Sequence, residues 1–511
     1  MEFSHLIPPI IIYCSPLRHI EFFMTNNLNN FIRSLSITNF LGFRETTQTI
    51  NFGIPNNRAG SGLTLITGQS STGKSTFIKA LIGMKTTPMA IETYPNDQTS
   101  ITVEYNDKKY IYTKGKKRFA TGQWLEKTFN NELTSEEYSK ECPFIIMNCR
   151  NYIHTYPHRN LSDIESTEYN NLLIDVLTCS SYTYLPLFNY ILNNEEYKNQ
   201  FYELIQNIMP ELNGELEIER NGLIDSTSKS DSCYLIYEAT SGHKSPGAFL
   251  SDGWLSVLII AAKIILSRIK NCPIIIDEPE LHLYPSAQKR LANLLSQEAI
   301  NRQIVVITHS PYFICWNHLE NGAKFFRLNK YKEGCTIHEL NYSNLKKIKG
   351  YEDPARYHLF DIAAKEIMFA DKLLFVEGQV DVGIIYKWAK KKERELKFNI
   401  FGYGVNGWCN FHIFLQISKE LGIKKVAVLY DKAKENDKDP ERNNIHLDDD
   451  LRQNKKLYKD YFFCQLETED IIDKDKNKKN GTFNTMGDLK EEHADHFEKI
   501  ISKLQNYCSD Q

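Results

Sequence analysis

The most chemically pointed stretch of this 511-residue chain is Gly68-Gln69-Ser70-Ser71-Thr72-Gly73-Lys74-Ser75. Its glycines let backbone amides turn inward around a phosphate, Lys74 can reach the β and γ oxygens of ATP, and Ser75 can ligate magnesium. Ser71, Thr72 and Thr76 complete the candidate ATP-binding loop. Further along, the apolar run Cys272-Pro-Ile-Ile-Ile ends in Asp277-Glu278. Asp277 suits the magnesium shell, and Glu278 suits the group that orients or deprotonates a water attacking the γ-phosphate. Ile304-Val-Val-Ile-Thr308 runs into His309-Ser310, which puts an imidazole where it can sense the γ-phosphate; on its own, such a histidine reads as structural. Leu250-Ser251-Asp252-Gly253 precedes a long apolar helix, so Ser251 and the amides beside Gly253 sit at a helix N-terminus that can bind phosphate. Ser and Asp at that place equally make an ordinary N-cap.

A second set of acids follows. Lys372-Leu-Leu-Phe-Val ends in Glu377-Gly378, Asp381 comes at the start of the next helix, and Lys425-Val-Ala-Val-Leu-Tyr ends in Asp431. Open α/β sheets place ligands at such carboxyl edges, and three carboxylates could share a magnesium ion, with manganese as a substitute. The competing reading is capped helices after buried strands. Lys387, Lys390, Lys391, Lys392 and Arg394, with Trp388 among them, are expected beside this acidic edge, where they could hold nucleic-acid phosphates or form a solvated helix face. No base-reading motif is visible, so DNA would be bound without sequence preference.

These residues need strands and helices to carry them. Leu63–Thr67, Pro273–Asp277 and Gln303–Thr308 read as buried strands, with helices over Ser75–Met84, Gly253–Lys270 and Ser286–Glu298. That alternation predicts a parallel α/β core. The boundaries expected are an N-terminal extension 1–29, a head 30–345 with a helical insertion at about 124–210, a linker 346–370, a second α/β domain 371–475, and a charged loop and helical tail 476–511. The start of translation is Met1 or Met24.

Composition narrows the classes. A net charge of -3 gives no global attraction to nucleic acid, and 41% hydrophobic with 24% charged residues is globular. Eleven cysteines without a CxxC pair suggest a reducing cytoplasm. The N-terminal apolar run, Leu6–Tyr13, is too short to span a bilayer, so no membrane partner is expected.

The four motifs at Gly68–Ser75, Leu250–Gly253, Ile274–Glu278 and Thr308–Ser310, in that order, resemble the ABC-ATPase superfamily. The resemblance implies two heads sandwiching two ATP molecules, with Ser251 of one chain completing the site built by Lys74 of the other, hence a homodimer or higher oligomer. A glutamine for the Q-loop is lacking; Asn148, Arg150 and Asn151 lie in its region. Phe375-Val-Glu377-Gly378-x-x-Asp381, the turn Phe401-Gly-Tyr-Gly404 and the strand ending at Asp431 resemble the Toprim fold. An ABC head followed by a Toprim domain is similar to the OLD nuclease family. This implies metal-dependent DNA cleavage in bacterial antiphage defence, as in retron-associated, Gabija or PARIS-like systems, with a reverse transcriptase and its RNA, or a helicase, as partner. Toprim nucleases generally carry Asp-x-Asp at the second strand end, whereas here Ala433 follows Asp431 and Lys432. Glu467 and Glu469 could supply ligands for a second metal, as later acids do in that family, or begin a solvated helix. Two further readings stay open: an ATP-dependent sensor or scaffold with a degenerate Toprim domain acting through a partner effector, and a DNA-repair ATPase with a vestigial C-terminal domain.

Overall fold

The computed structural model describes residues 30–83, 99–106, 108–114, 126–128, 144–148, 184–221, 232–246, 250–346, 365–402, 411–431, 453–466, 470–472, 481–484 and 486–509. The head is built on a six-stranded sheet. Its strands are β3 (Leu63–Gly68), β7 (Ile145–Asn148), β11 (Ile274–Asp277), β12 (Ile304–Ile307), β13 (Lys324–Tyr331) and β14 (Gly334–Glu339), in the spatial order β14-β13-β3-β12-β11-β7. Five of them run parallel and β14 closes one edge antiparallel to β13. Strands buried on both faces need apolar residues at every position, which explains the unbroken Ile/Val/Leu runs.

Successive side chains leave a strand on opposite faces, so the sheet feeds two cores. Ile66, Ile275, Val305 and Leu328 pack with Phe77 and Ala80 of α1 (Lys74–Gly83) and with a second, antiparallel sheet, which includes β1 (Ile32–Thr38), β2 (Gln48–Asn51) and β4 (Thr99–Tyr105). Leu65, Ile276 and Val306 face the other way, onto α2 (Tyr184–Leu192), α3 (Glu195–Ile208), α4 (Asp252–Lys270) and α5 (Pro285–Glu298). Asn271 ends α4 in the left-handed conformation, a usual asparagine C-cap. The expected insertion at 124–210 is not helical throughout. Residues 145–148 form β7, pinned from α4 by the buried Lys263, whose Nζ donates to the Ile146 carbonyl at 2.5 Å. Phe144-Ile-Ile-Met is apolar enough to be a buried strand, but too short to stand out beside the helical stretches around it.

The second unit is a four-stranded parallel sheet of β15 (Lys372–Phe375), β16 (Asn399–Phe401), β17 (Lys425–Tyr430) and β18 (Phe462–Gln465), ordered β16-β15-β17-β18. Helices α6 (Gln379–Lys391), α7 (Phe411–Glu420) and α8 (Glu491–Ser509) accompany it. Phe325 and Leu340 of the head share one apolar cluster with Ile367, Met368, Leu373 and Phe414, so the core runs across the boundary between the units. No helix among the described residues is long and apolar enough to cross a membrane. The N-terminal extension 1–29 and the charged segment 473–480 lie outside the described residues.

Candidate functional site

The phosphate loop leaves β3 and enters α1 with Gly68 at φ 149°, Ser71 at 66° and Gly73 at 101°. Gly68 is dictated by crowding as well: a Cβ there would lie 2.4 Å from the Leu328 carbonyl oxygen of β13. Lys74 is buried, and its Nζ donates to the carbonyls of Gly68 at 2.6 Å and Gln69 at 2.7 Å. Thr72 ties the loop to itself by donating to the Gln69 carbonyl at 2.8 Å. Ser75 stands exposed at the start of α1, with Thr76 partly buried beside it.

Because β3, β12, β11 and β7 are adjacent and parallel, their C-terminal ends converge on one edge with this loop. Asp277 and Glu278 are both 4% exposed there. Glu278 adopts φ 54°, a conformation costly for a residue with a Cβ and concentrated at functional sites. His309 brings Nε2 to 3.8 Å from Glu278 Oε1, so the expected acid and imidazole do meet. Asn148 ends β7 in register with Asp277; Arg150 and Asn151 lie outside the described residues.

A further acid, Glu280, belongs to this edge. Its carboxylate accepts from Thr308 Oγ1 at 2.8 Å and from the His309 amide at 2.6 Å, fixing the loop that carries the imidazole. Burial pushes the Glu280 carboxyl above its ordinary range, against the hydrogen bonds from His309 and Thr308. The repeat of acids in Asp277-Glu-Pro-Glu280 was the available signal.

Ser251 is the N-cap of α4, its Oγ accepting from the Trp254 amide at 3.3 Å, and it is exposed. At Gly253 a Cβ would meet the His282 carbonyl oxygen at 2.7 Å, so the loop after Glu280 packs against the start of α4 only because residue 253 has no side chain. The N-cap and the phosphate-binding readings are compatible, since one exposed helix start can do both.

In the second unit, Glu377 and Asp431 end adjacent parallel strands, and Glu377 Oε1 accepts from the Asp431 amide at 3.1 Å. Asp381 turns back to cap its own helix, Oδ2 accepting from the Gly378 amide at 2.8 Å. Gly402 allows the neighbouring strand end to close in, since a Cβ there would lie 2.4 Å from the Gly378 carbonyl oxygen. The expected sharing of one metal by three acids is not preformed: among the described residues no group of three or more His, Cys, Asp or Glu side chains could hold a metal ion. One oxygen of each of Glu377 and Asp381, Oε1 and Oδ2, accepts from a backbone amide. Ala433, Glu467 and Glu469 lie outside the described residues.

The basic cluster is not where the sequence suggested. Helix α6 starts at the acidic edge and runs away from it, so Lys390, eleven residues beyond Gln379, is about 17 Å along the axis. Lys387 bonds the Met486 carbonyl, Lys391 pairs with Asp488 at 2.9 Å and Arg394 with Glu498 at 2.6 Å. Trp388 is 3% exposed and stacked edge-on against Phe497 at 5.1 Å, so it offers no face to a nucleobase.

Comparison with known proteins agrees with both halves. An AAA-domain family model matches residues 184–314, and one described as "Overcoming lysogenization defect protein-like, TOPRIM domain" matches 368–432. The Old nuclease of Escherichia phage P2 is 26% identical over 162 residues, covering 31% of this chain and 27% of that protein. The OLD nuclease of Thermus scotoductus is 30% identical over 169 residues, covering 31% of each. The matched segments thus span less than a third of these curated relatives' length. Among solved structures, the Smc head domain of Pyrococcus furiosus bound to the C-terminal domain of ScpA aligns at TM-score 0.43 and 13% identity, over 62% of this chain and 98% of that one.

Proposed function

We propose that this chain, in which an AAA-domain match precedes an OLD-like Toprim match, is an ABC-type ATP-hydrolysing protein that controls a metal-dependent nuclease acting on DNA. Lys74 and Ser75 bind the phosphates and their magnesium with Asp277, while Glu278 activates the attacking water and His309 senses the γ-phosphate. Ser251, exposed at the start of α4, suits a partner's phosphate loop, so the working unit is a homodimer or larger. Antiphage defence is the role that the OLD likeness favours.

The observation that carries the nuclease reading is the meeting of Glu377 with the backbone of Asp431 at 3.1 Å across two parallel strand ends. Magnesium is held by one or two carboxylates with waters completing the octahedron, so this pair fits it without a third acid. Glu377 and Asp431 would hold the ion, which supplies charge stabilisation for phosphodiester cleavage. Asp381 keeps the Gly378 turn in shape. A plasmid-nicking assay with magnesium or manganese, with and without ATP, tests the reading. Wild type should nick and Glu377→Ala should not; absence of nicking under every nucleotide and metal condition sinks it.

A second reading has one observation in its favour, Ala433 where Asp-x-Asp would put its second acid. In that reading the Toprim domain is degenerate and the chain is an ATP-dependent sensor or scaffold for an effector. It predicts that Glu377→Ala leaves defence intact while Lys74→Ala abolishes it.

A further inference from the structure

The boundary between the two domains holds a buried charge that neither ATP hydrolysis nor strand cleavage uses. Arg327 lies on β13 beside Thr67, and the next residue, Leu328, pairs with Gly68 at the entrance to the phosphate loop. The Arg327 side chain is 1% exposed, and its Nη2 donates to Asp371 Oδ1 at 2.7 Å. Its Nε and Nη1 have no hydrogen-bond partner. Leaving such a guanidinium without its carboxylate is expensive, so Asp371 is held firmly against the head.

Asp371 also belongs to the other domain, directly preceding β15. It and Gln69 of the phosphate loop line the same cleft of about 880 Å³. Burial pushes the Asp371 carboxyl up, and Arg327 opposes the shift. From the opposite side, Lys74 holds the Gln69 carbonyl. The bonded pair Lys74–Gln69 and the bonded pair Arg327–Asp371 therefore meet at one cleft, and β15 leads on for about 20 Å of extended chain to Glu377.

We infer that Asp371 is a positioning residue of the ATP site contributed by the Toprim domain, which sets the phosphate loop through Gln69 and ties the loop's occupancy to β15. This rests on the head being an ATP site. Charged phosphate oxygens are better acceptors for an ammonium than neutral carbonyls, so ATP draws Lys74 off Gln69. Gln69 is then free to shift, and the group on its other side is Asp371. The ATP edge and the acidic edge are thereby joined inside one chain.

The test uses the full chain. Affinity for a fluorescent ATP analogue is measured for wild type, Gln69→Ala, Asp371→Ala and the double variant, and amide hydrogen exchange over Lys372–Phe375 is followed with and without saturating ATP. Each single variant should bind about three- to tenfold more weakly, the scale of one hydrogen bond, and the double variant no more weakly than Asp371→Ala. ATP should alter exchange in β15 of wild type and not in either single variant. Gln69 is exposed, so its replacement leaves the fold in place; for Asp371, the paired change Arg327→Met with Asp371→Met removes the stranded charge and should behave as Asp371→Ala. Additive losses in the cycle, or an ATP response in β15 that persists in Gln69→Ala, overturn the inference. Wild type that binds no ATP removes the ATP-site reading as well, whereas variants that match an ATP-binding wild type remove the inference alone.

Discussion

The ATP edge of the head and the acidic edge of the Toprim domain are both rows of parallel strand ends, yet they are prepared to different degrees. At the ATP edge the backbone is already committed: Glu278 holds a positive φ, Gly68 sits where no Cβ fits, and Asp277 and Glu278 are almost inaccessible. At the acidic edge, Glu377 and Asp431 are only partly buried, and the Glu377 and Asp381 side chains bond to nearby amides. Packing from the surrounding core holds the first arrangement. The second is held by local hydrogen bonds that a cation would have to exchange for its own, so this edge should depend on its ligand more heavily.

The largest effects should therefore come from the metal. Chelation with EDTA should abolish plasmid nicking, and Glu377→Ala or Asp431→Ala should reduce it to background while ATP hydrolysis continues. If nicking survives chelation, the two edges do not differ in this way. Next in size, Lys74→Ala and Glu278→Gln should each slow ATP hydrolysis by about 10²- to 10³-fold. They part in binding: Glu278→Gln should retain ATP in an equilibrium binding assay and Lys74→Ala should not. Equal loss of binding in both would mean that Glu278 serves the ground state.

Smaller effects probe the packing itself. Gly253→Ala forces a methyl against the His282 carbonyl at 2.7 Å and should lower stability in urea titration by about 1–3 kcal/mol. It should also move the loop that follows Glu280, and so weaken ATP-dependent dimerisation in sedimentation more than the stability loss accounts for. An unchanged titration midpoint would mean that this contact gives way freely.

The same contrast decides what could be read from the chain. Phosphate-loop glycines, Asp277-Glu278 and His309 are legible because each lies within one short segment whose local geometry is set by its own residue types. The role of Glu280 was hidden, since its partners Thr308 and His309 follow a different strand. Arg327 and Asp371 are 44 residues apart and give no local signal at all. Lys387–Arg394 looked close to the acids in sequence, but a helix carries its far end away at 1.5 Å per residue, and the C-terminal segment claims several of those charges. Trp388 similarly reads as a stacking platform until its burial against Phe497 is known. Adjacency in sequence predicts a site only across a turn.

Glu280 offers the finest test, because its contribution changes sign with what is measured. Burial raises its carboxyl pKa, so the folded protein binds the Glu280 proton more tightly than the unfolded chain does. Stability from this group therefore falls as pH rises from the ordinary glutamate range through the raised value, and is constant on either side. Function runs the other way: the ionised carboxylate is the better acceptor for Thr308 Oγ1 and the His309 amide, so the imidazole is best placed above that interval. Glu280→Gln has no such titration. Its thermal midpoint relative to wild type should rise with pH across the interval, while its ATPase rate relative to wild type should fall. Parallel movement of the two ratios would show that Glu280 acts on the fold alone and leaves His309 to other restraints.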